Sequence, residues 1–296
     1  MNKFDEIYET IKSESFEELE IERKKANNLR TIPIITSICV SILISLLLHS
    51  LIIFPIFIGL FVGFLLSMLK TEYRNKFKNA VIKRFIEEYD SNLCYKPNSG
   101  ISSSIYDRGF RESYDSYSSD DLIEGMIDNT YPISFAEVHT EIETEDSDGN
   151  RSSATVFHGA FACIGSRHNF RTPIMIHSDK GFFGKLFNKK NKIEMDSEVF
   201  EKYFDVHAEN GIATMQILTS DVMNLMIDFK EKYKTKFEIT LNGSNIYIRF
   251  YTGSIFEPSL SKKGLDKDFL KKYYDIINFT FDFSKLINKS VNEADI

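Results

Sequence analysis

Tryptophan is absent from the chain, and cysteine occurs only three times, at Cys39, Cys94 and Cys163. That spacing builds neither a disulfide framework nor a CxxC metal or redox site. It suits a reducing compartment. The missing Trp, set against abundant Phe, Ile, Lys and Asn, is a compositional bias that carries no function. Recognisable catalytic signatures are missing too. There is no Gly-x-Ser-x-Gly, phosphate loop, dinucleotide glycine motif or His-Glu-x-x-His. Most membrane-bound kinases, ATPases and zinc proteases are therefore disfavoured. An excess of basic residues is also lacking. The net charge of −7 argues against nucleic-acid binding, which needs cationic groups to replace counterions.

The most informative absence is local. From Ile32 to Leu69 no residue is charged, across 38 positions. A single helix of that length would extend about 57 Å at 1.5 Å per residue, against a hydrocarbon core of roughly 30 Å. Two passes fit, Ile32–Leu48 and Leu51–Leu69, with His49-Ser50 as the tip. Arg23, Lys24, Lys25 and Arg30 precede the run, and Lys70, Arg74, Lys76 and Lys78 follow it. The tip carries no Lys or Arg, so both ends are expected on the cytoplasmic side of the cell (inner) membrane. A signal peptide does not begin with about thirty highly charged residues. Ser37, Ser41 and Ser45 form a stripe of small residues that favours close helix packing, within the hairpin or in a homo-oligomer.

What surrounds the run has enough apolar residues to fold, at 43% hydrophobic and 27% charged. Residues 1–31 read as a solvated amphipathic helix leading to the membrane, a helical partner being the alternative, with Phe4, Ile7, Tyr8 and Ile11 on one face, continued less regularly by Phe16, Leu19 and Ile21. Lys70–Tyr89 reads as a helix on Tyr73, Phe77, Val81, Ile82 and Phe85. Residues 94–100 read as its terminating turn. The Ser-, Tyr- and Asp-rich stretch to Asp121 reads as a long surface connection.

A β-rich part is expected from about Tyr131. Ser134–Thr144 and Ser153–Ile164 alternate, and Asp148-Gly149 between them signals a hairpin. A two-residue turn there makes paired positions sum to 297. Ala136, Val138 and Ile142 then share the core face with Phe157 and Phe161. Further strands are predicted at Thr172–His177, Gly211–Leu218, Lys236–Leu241 and Asn245–Tyr251, the last two joined at Asn242-Gly243. Helices are predicted at Ser197–Phe204, Ser220–Tyr233 and Lys267–Leu286. The whole reads as α+β: a two-helix transmembrane hairpin (32–69), a connecting helix and acidic loop (70–130), and a cytoplasmic domain (131–290) with a mostly antiparallel sheet and packed helices.

The order of motifs resembles the bacterial family of unknown function catalogued as DUF3137. The pieces are Leu19-Glu20-Ile21-Glu22-Arg23-Lys24, Tyr95-Lys96-Pro97 with Gly100-Ile101, and Asp121-Leu122-Ile123-Glu124-Gly125. Ile133-Ser134-Phe135-Ala136-Glu137-Val138 and Phe157-His158-Gly159-Ala160-Phe161 follow. The longest is Phe200-Glu201-Lys202-Tyr203-Phe204-Asp205-Val206-His207-Ala208-Glu209-Asn210, then Ile217-Leu218-Thr219. The resemblance implies a bacterial membrane protein with two N-terminal passes. It supplies no reaction, cofactor or catalytic residue.

Three groups carry candidate chemistry. Glu137, His139 and Glu141 share a strand face, and the register sets His158 across from His139. Two imidazoles and Glu137 suit a divalent transition metal; a solvated polar face is the plainer reading. Asp205, His207 and Glu209 form a second polar cluster with no nucleophile near in sequence. In the third, Lys180, Phe182, Phe183, Lys185, Phe187, Lys189 and Lys190 interleave aromatics with cations, a pattern that can rest on anionic lipid or cover the domain's own core. Asp146–Asn150 fails the EF-hand spacing, since Phe157 occupies the twelfth position. Thirteen acidic and two basic residues between Asp107 and Asp148 suit a basic partner. The expectation is a non-enzymatic anchor presenting a cytoplasmic domain to a protein partner or lipid headgroups, with no cofactor. The alternative is a membrane-tethered hydrolase or metal-dependent enzyme using Glu137, His139 and His158.

Overall fold

The computed structural model describes residues 2–47, 68, 71–145, 149–178, 191–259 and 266–293, with side chains for all of these except 28–47 and 293. The chain forms two compact units, Met1–Tyr89 with Phe256–Lys271, and Asp90–Ile255 with Lys272–Ile296.

In the first unit, α1 (Lys3–Leu47) is one continuous helix. A second helix, α2 (71–89), contains a π-helical turn at Lys78–Ile82. The two run antiparallel. Lys3 Nζ donates to Tyr89 O (2.6 Å), Arg84 lies 3.4 Å from Glu14, and Lys76 lies 3.0 Å from Glu22. The apolar faces expected from the sequence are buried here: Phe4, Ile7, Tyr8, Ile11 and Leu19 on α1, and Tyr73, Phe77, Val81, Ile82 and Phe85 on α2. Ile21 departs from that face and is exposed. The N-terminal helix is therefore not a solvated lead-in, because α2 covers its apolar stripe. Lys267 adds an ion pair to Asp5 at 2.8 Å, and Lys78 one to Glu257 at 3.1 Å.

Residues 32–47 of the first expected pass continue α1. The tip His49-Ser50 and the second pass, Met68 apart, lie outside the described residues, as do Lys180, Phe182, Phe183, Lys185, Phe187, Lys189 and Lys190. Among the described residues no helix is long and apolar enough to cross a membrane.

The second unit is α+β, and every strand pairing described in it is antiparallel. Its strands are β1 (Leu93–Lys96), β2 (Ser116–Ile127), β3 (Tyr131–Glu145), β4 (Arg151–His177), β5 (Lys192–Ile193), β6 (Asp205–His207) and β7 (Phe237–Phe250). The order is β1-β2-β3-β4-β6-β5, with β7 against β4. The β3–β4 register is the one the turn signal predicts: Ile133 pairs Ile164, and His139 pairs His158. A bulge after Thr140 shifts the remaining pairs by one, so the tip beyond Glu145↔Arg151 is longer than two residues.

β4 and β7 are not straight ribbons. Eleven residues at about 3.3 Å each would put Glu238 and Arg249 some 36 Å apart, yet their side chains are in contact. Tyr251 N–H also donates to Lys236 O (2.9 Å). The stretch Phe237–Phe250 therefore doubles back. Its arms lie between two arms of β4: residues 245–250 pair with 160–165, and 238–241 pair with 174–177. The two strands predicted on either side of Asn242-Gly243 are thus present, with the turn centred one residue later on Gly243-Ser244. Gly243 has φ 57°, as a glycine at the first central position of a tight hairpin turn requires.

Several expectations are corrected. Gly211–Leu218 is not a strand: Gly211–Ile217 is helical, capped by Asn210, whose side chain accepts from Ala213 N–H (3.1 Å). Its buried positions, Thr214 and Ile217, are three apart, while Ile212 is exposed. Nor is the region 94–121 a terminating turn and surface connection. It holds β1, helix α3 (Ser103–Gly109) and the start of β2. Its tyrosines serve as core. Tyr95 and Tyr106 are buried and Tyr117 largely so, and their hydroxyls reach Asp121, Glu112 and Ile101 O. The strands therefore begin at Leu93 rather than near Tyr131.

One sheet face, with Ala136, Val138, Phe157 and Phe161, packs on Tyr106 and Phe110. Ile142, expected there, is half-buried. The other face packs Phe237 and Phe250 against Phe229 and Phe279. Phe229 comes from the helix Ser220–Tyr233, and Phe279 from the helix Lys267–Glu293. The predicted helix Ser197–Phe204 is observed as Glu198–Tyr203.

Candidate functional site

Glu137, His139 and His158 are brought together as the register requires. The two imidazole rings stack, 4.4 Å between centroids and 25° between planes. Their Nε2 atoms face different carboxylates. His158 Nε2 lies 2.9 Å from Glu137 Oε1, and His139 Nε2 lies 3.4 Å from Glu141 Oε1. Glu137 has a second commitment: its Oε2 accepts the Ile255 N–H at 2.6 Å. Gly253 N–H donates to His158 O (3.2 Å), and Ala160 N–H donates to Thr252 Oγ1 (3.2 Å). The Glu137–His158 pair thus fastens residues 252–255 to β3 and β4, and Glu137 keeps little coordinating capacity for an ion.

Glu137 has other acidic neighbours. Candidate ligand atoms of Asp120, Asp121 and Glu137 lie within 4.8 Å of one another. Asp121 is fully buried, sits at φ 57° beside a bulge, and accepts the Tyr95 hydroxyl. Reading Asp120-Asp121 as loop hid this grouping. The bulge that turns both carboxylates toward β3 leaves no mark in residue order.

The other expected polar cluster does not converge. Asp205 and His207 lie on β6, Lys192 pairs with Asp205 at 2.7 Å, and Glu209 is exposed. Burial, then the neighbouring His177, lowers the His207 pKa. Burial pushes the Cys163 thiol up to about 11, which disfavours the nucleophilic thiolate form.

The densest ionic arrangement was not foreseen. Arg249, 3% exposed, donates through Nε to Glu238 Oε2 (2.7 Å) and through Nη1 to Tyr106 Oη (2.6 Å) and Glu112 Oε1 (2.8 Å). Glu238 is fully buried, with Lys236 at 3.2 Å and His177 at 3.7 Å. Burial by itself would raise the Glu238 carboxyl. The nearby His177, Arg249 and Lys236 outweigh it and hold the group well below the usual carboxylate range. Burial likewise opposes the charge on Arg249, but Glu238 and the surrounding tyrosines and Glu112 keep it firmly protonated. Burial also drives Tyr106 and Tyr251 far above an ordinary phenol. The sequence signal was present but faint: Glu238 lies between Phe237 and Ile239, and Arg249 between Ile248 and Phe250.

Residues 155–289 match the model of a family described as "Protein of unknown function (DUF3137)", so the resemblance holds over that stretch. The motifs before Thr155 lie outside it. No curated protein sequence matches the chain. Among solved structures, the mycobacterial trehalose monomycolate transport factor A, TtfA, is similar at TM-score 0.36 and 8% identity, covering 68% of this chain and 91% of that one. A likeness at that level carries no functional inference.

Proposed function

We propose that the chain is a membrane-anchored binding protein whose folded part faces the cytoplasm and meets a protein partner or lipid headgroups rather than catalysing a reaction. One observation carries this reading. α1, whose last part runs into the uncharged run, and α2, which follows it, lie antiparallel, with Glu14 near Arg84 and Glu22 near Lys76. That antiparallel course supports a chain that enters and leaves 32–69 from the same end, as a two-pass hairpin does. The basic residues on both flanks support a cytoplasmic location for those ends. The Lys180–Lys190 segment supports contact with anionic lipid, each lysine near such a surface contributing on the order of 1 kcal/mol.

Carbonate washing of membranes tests the anchor, and the protein is expected to stay in the pellet. A membrane-impermeant maleimide tests orientation. Exposed Cys94 should label only after the membrane is opened, and a His49→Cys variant should label from outside. Labelling of Cys94 in sealed cells overturns the orientation.

A metal-dependent activity using Glu137, His139 and His158 is the weaker second reading: the register brings the two imidazoles together beside Glu137, but their Nε2 atoms face different carboxylates and both Glu137 oxygens are in use. Metal content unchanged in the His139→Ala/His158→Ala variant disposes of it.

A further inference from the structure

A cavity of about 250 Å³ opens beside the buried Arg249, between the end of α3 and the β4 and β7 arms. Its apolar wall is Phe110, Pro173 and Met175, and Arg108 and Arg111 also line it. Both of these arginines are exposed, and neither forms an ion pair with a carboxylate among the described residues. Arg249 is different. Glu238 and Glu112 already balance it, and its guanidinium stacks 4.1 Å from the Phe110 ring centre. It forms a fixed wall rather than a free cation. Among the described residues, Glu112 is the one acidic residue lining the cavity, so they give the mouth a positive surplus in a chain of net charge −7.

The mouth is also held in place. Asn242 Nδ2 donates to Arg108 O at 2.9 Å. Gly109 packs so closely on Tyr247 that a Cβ there would lie 2.7 Å from that side chain. The backbone that carries Arg108 therefore needs little ordering when a ligand arrives, which favours binding.

We propose that this cavity binds a small organic anion, a carboxylate or phosphate ester, whose charged group meets Arg108 and Arg111 and whose apolar body lies against Phe110, Pro173 and Met175. Apolar walls supply burial and a few placed polar groups supply orientation, as in ligand pockets generally. Guanidinium groups suit planar or tetrahedral oxyanions. The proposal deepens the reading of a binding domain but does not depend on the anchor. Carbonate washing and maleimide labelling decide the anchor whatever this cavity does, and the titration below decides the cavity.

The test is calorimetric titration of the full chain, in nanodiscs of zwitterionic lipid or, if carbonate releases it from membranes, in lipid-free buffer. The probes are phenyl phosphate, hexanoate, inorganic phosphate and hexanol. Saturable heat is expected from phenyl phosphate or hexanoate. Inorganic phosphate, which lacks the apolar body, and hexanol, which lacks the charge, should each bind about tenfold more weakly or worse. Arg108→Gln/Arg111→Gln should weaken the organic anion by about tenfold or more, with an unchanged circular dichroism spectrum. Arg171→Gln, outside this cavity, should leave it unchanged. Repeating the titration in nanodiscs containing anionic lipid separates the sources. Heat that disappears assigns the site to a lipid headgroup, and heat that persists assigns it to a soluble anion. No saturable heat from either organic anion, equal binding by hexanol, or full affinity in the double variant overturns the proposal.

Discussion

Arg249 Nη2 lies 2.5 Å from Glu238 Oε2 inside the sheet, with both residues almost wholly removed from solvent. The pair closes the β7 hairpin from within and ties it to Tyr106 and Glu112 outside the sheet. Removing one member leaves the other charge buried. Glu238→Gln or Arg249→Met is expected to cost about 3–5 kcal/mol, read from chemical denaturation. A variant within 1 kcal/mol of the parent, on the order of a surface ion pair, would falsify this role.

The same pair sets a pH dependence. The folded Glu238 carboxyl titrates below its ordinary value of 4.5. Its contribution is therefore complete above that value and is lost as pH falls from there toward the folded value. Denaturation midpoints of the parent should drop over that acid range more steeply than those of Glu238→Gln. Parallel curves would show that other carboxylates govern acid unfolding.

Gly159 is expected to be intolerant of any side chain. A Cβ there would lie 1.9 Å from Phe250 O and 2.8 Å from Thr252 N, so β4 and β7 would have to separate. Gly159→Ala should cost ~3 kcal/mol, at the upper end for overpacking, and should perturb the amide signals of Phe250 and Thr252. A spectrum unchanged at those amides counts against the close approach.

Glu137→Gln should loosen residues 252–255. The amide side chain has one good acceptor where the carboxylate had two, and both oxygens are in use. A loss of about 1–3 kcal/mol is expected for the unmet buried group. Hydrogen exchange at Ile255 should accelerate while Val138 stays protected. Unchanged exchange at Ile255 would show that its N–H does not depend on Glu137.

Ile11 is fully buried in the first unit. Ile11→Ala should cost ~2–5 kcal/mol there. The readout is faster proteolysis within residues 3–27, with the sheet's amide protection unaltered. Equal cleavage rates would mean that the α1–α2 packing does not limit access.

Residue order alone carried part of this. Period-two alternation in 134–144 and 153–164, with Asp148-Gly149 between, was enough to set His139 opposite His158, because one buried face leaves a strand a single workable register. The period-four apolar faces of 4–11 and 73–85 marked two helices, and Ser220–Tyr233 was legible from Val222, Leu225, Met226 and Phe229 at helical spacing, of which Leu225 is only half-buried. The uncharged run at 32–69 is equally plain in the sequence.

Other features needed contacts between distant residues. The stretch 94–121 is polar enough to pass for a loop, yet Tyr95 and Tyr106 bury their rings and satisfy their hydroxyls, Tyr95 on Asp121 and Tyr106 on Glu112 and Arg249. Gly211–Ile217 alternates like a strand but caps like a helix. That β4 opens into two arms with β7 between them depends on pairings 60 or more positions apart. So do the convergence of Arg249, Glu238, Tyr106 and Glu112 and the cavity beside them. Local sequence thus determined periodicity, turn chemistry and the apolar run. Tertiary structure decided which polar residues are interior, because the cost of burying a charge or a hydroxyl is met only by partners that the chain brings in from elsewhere.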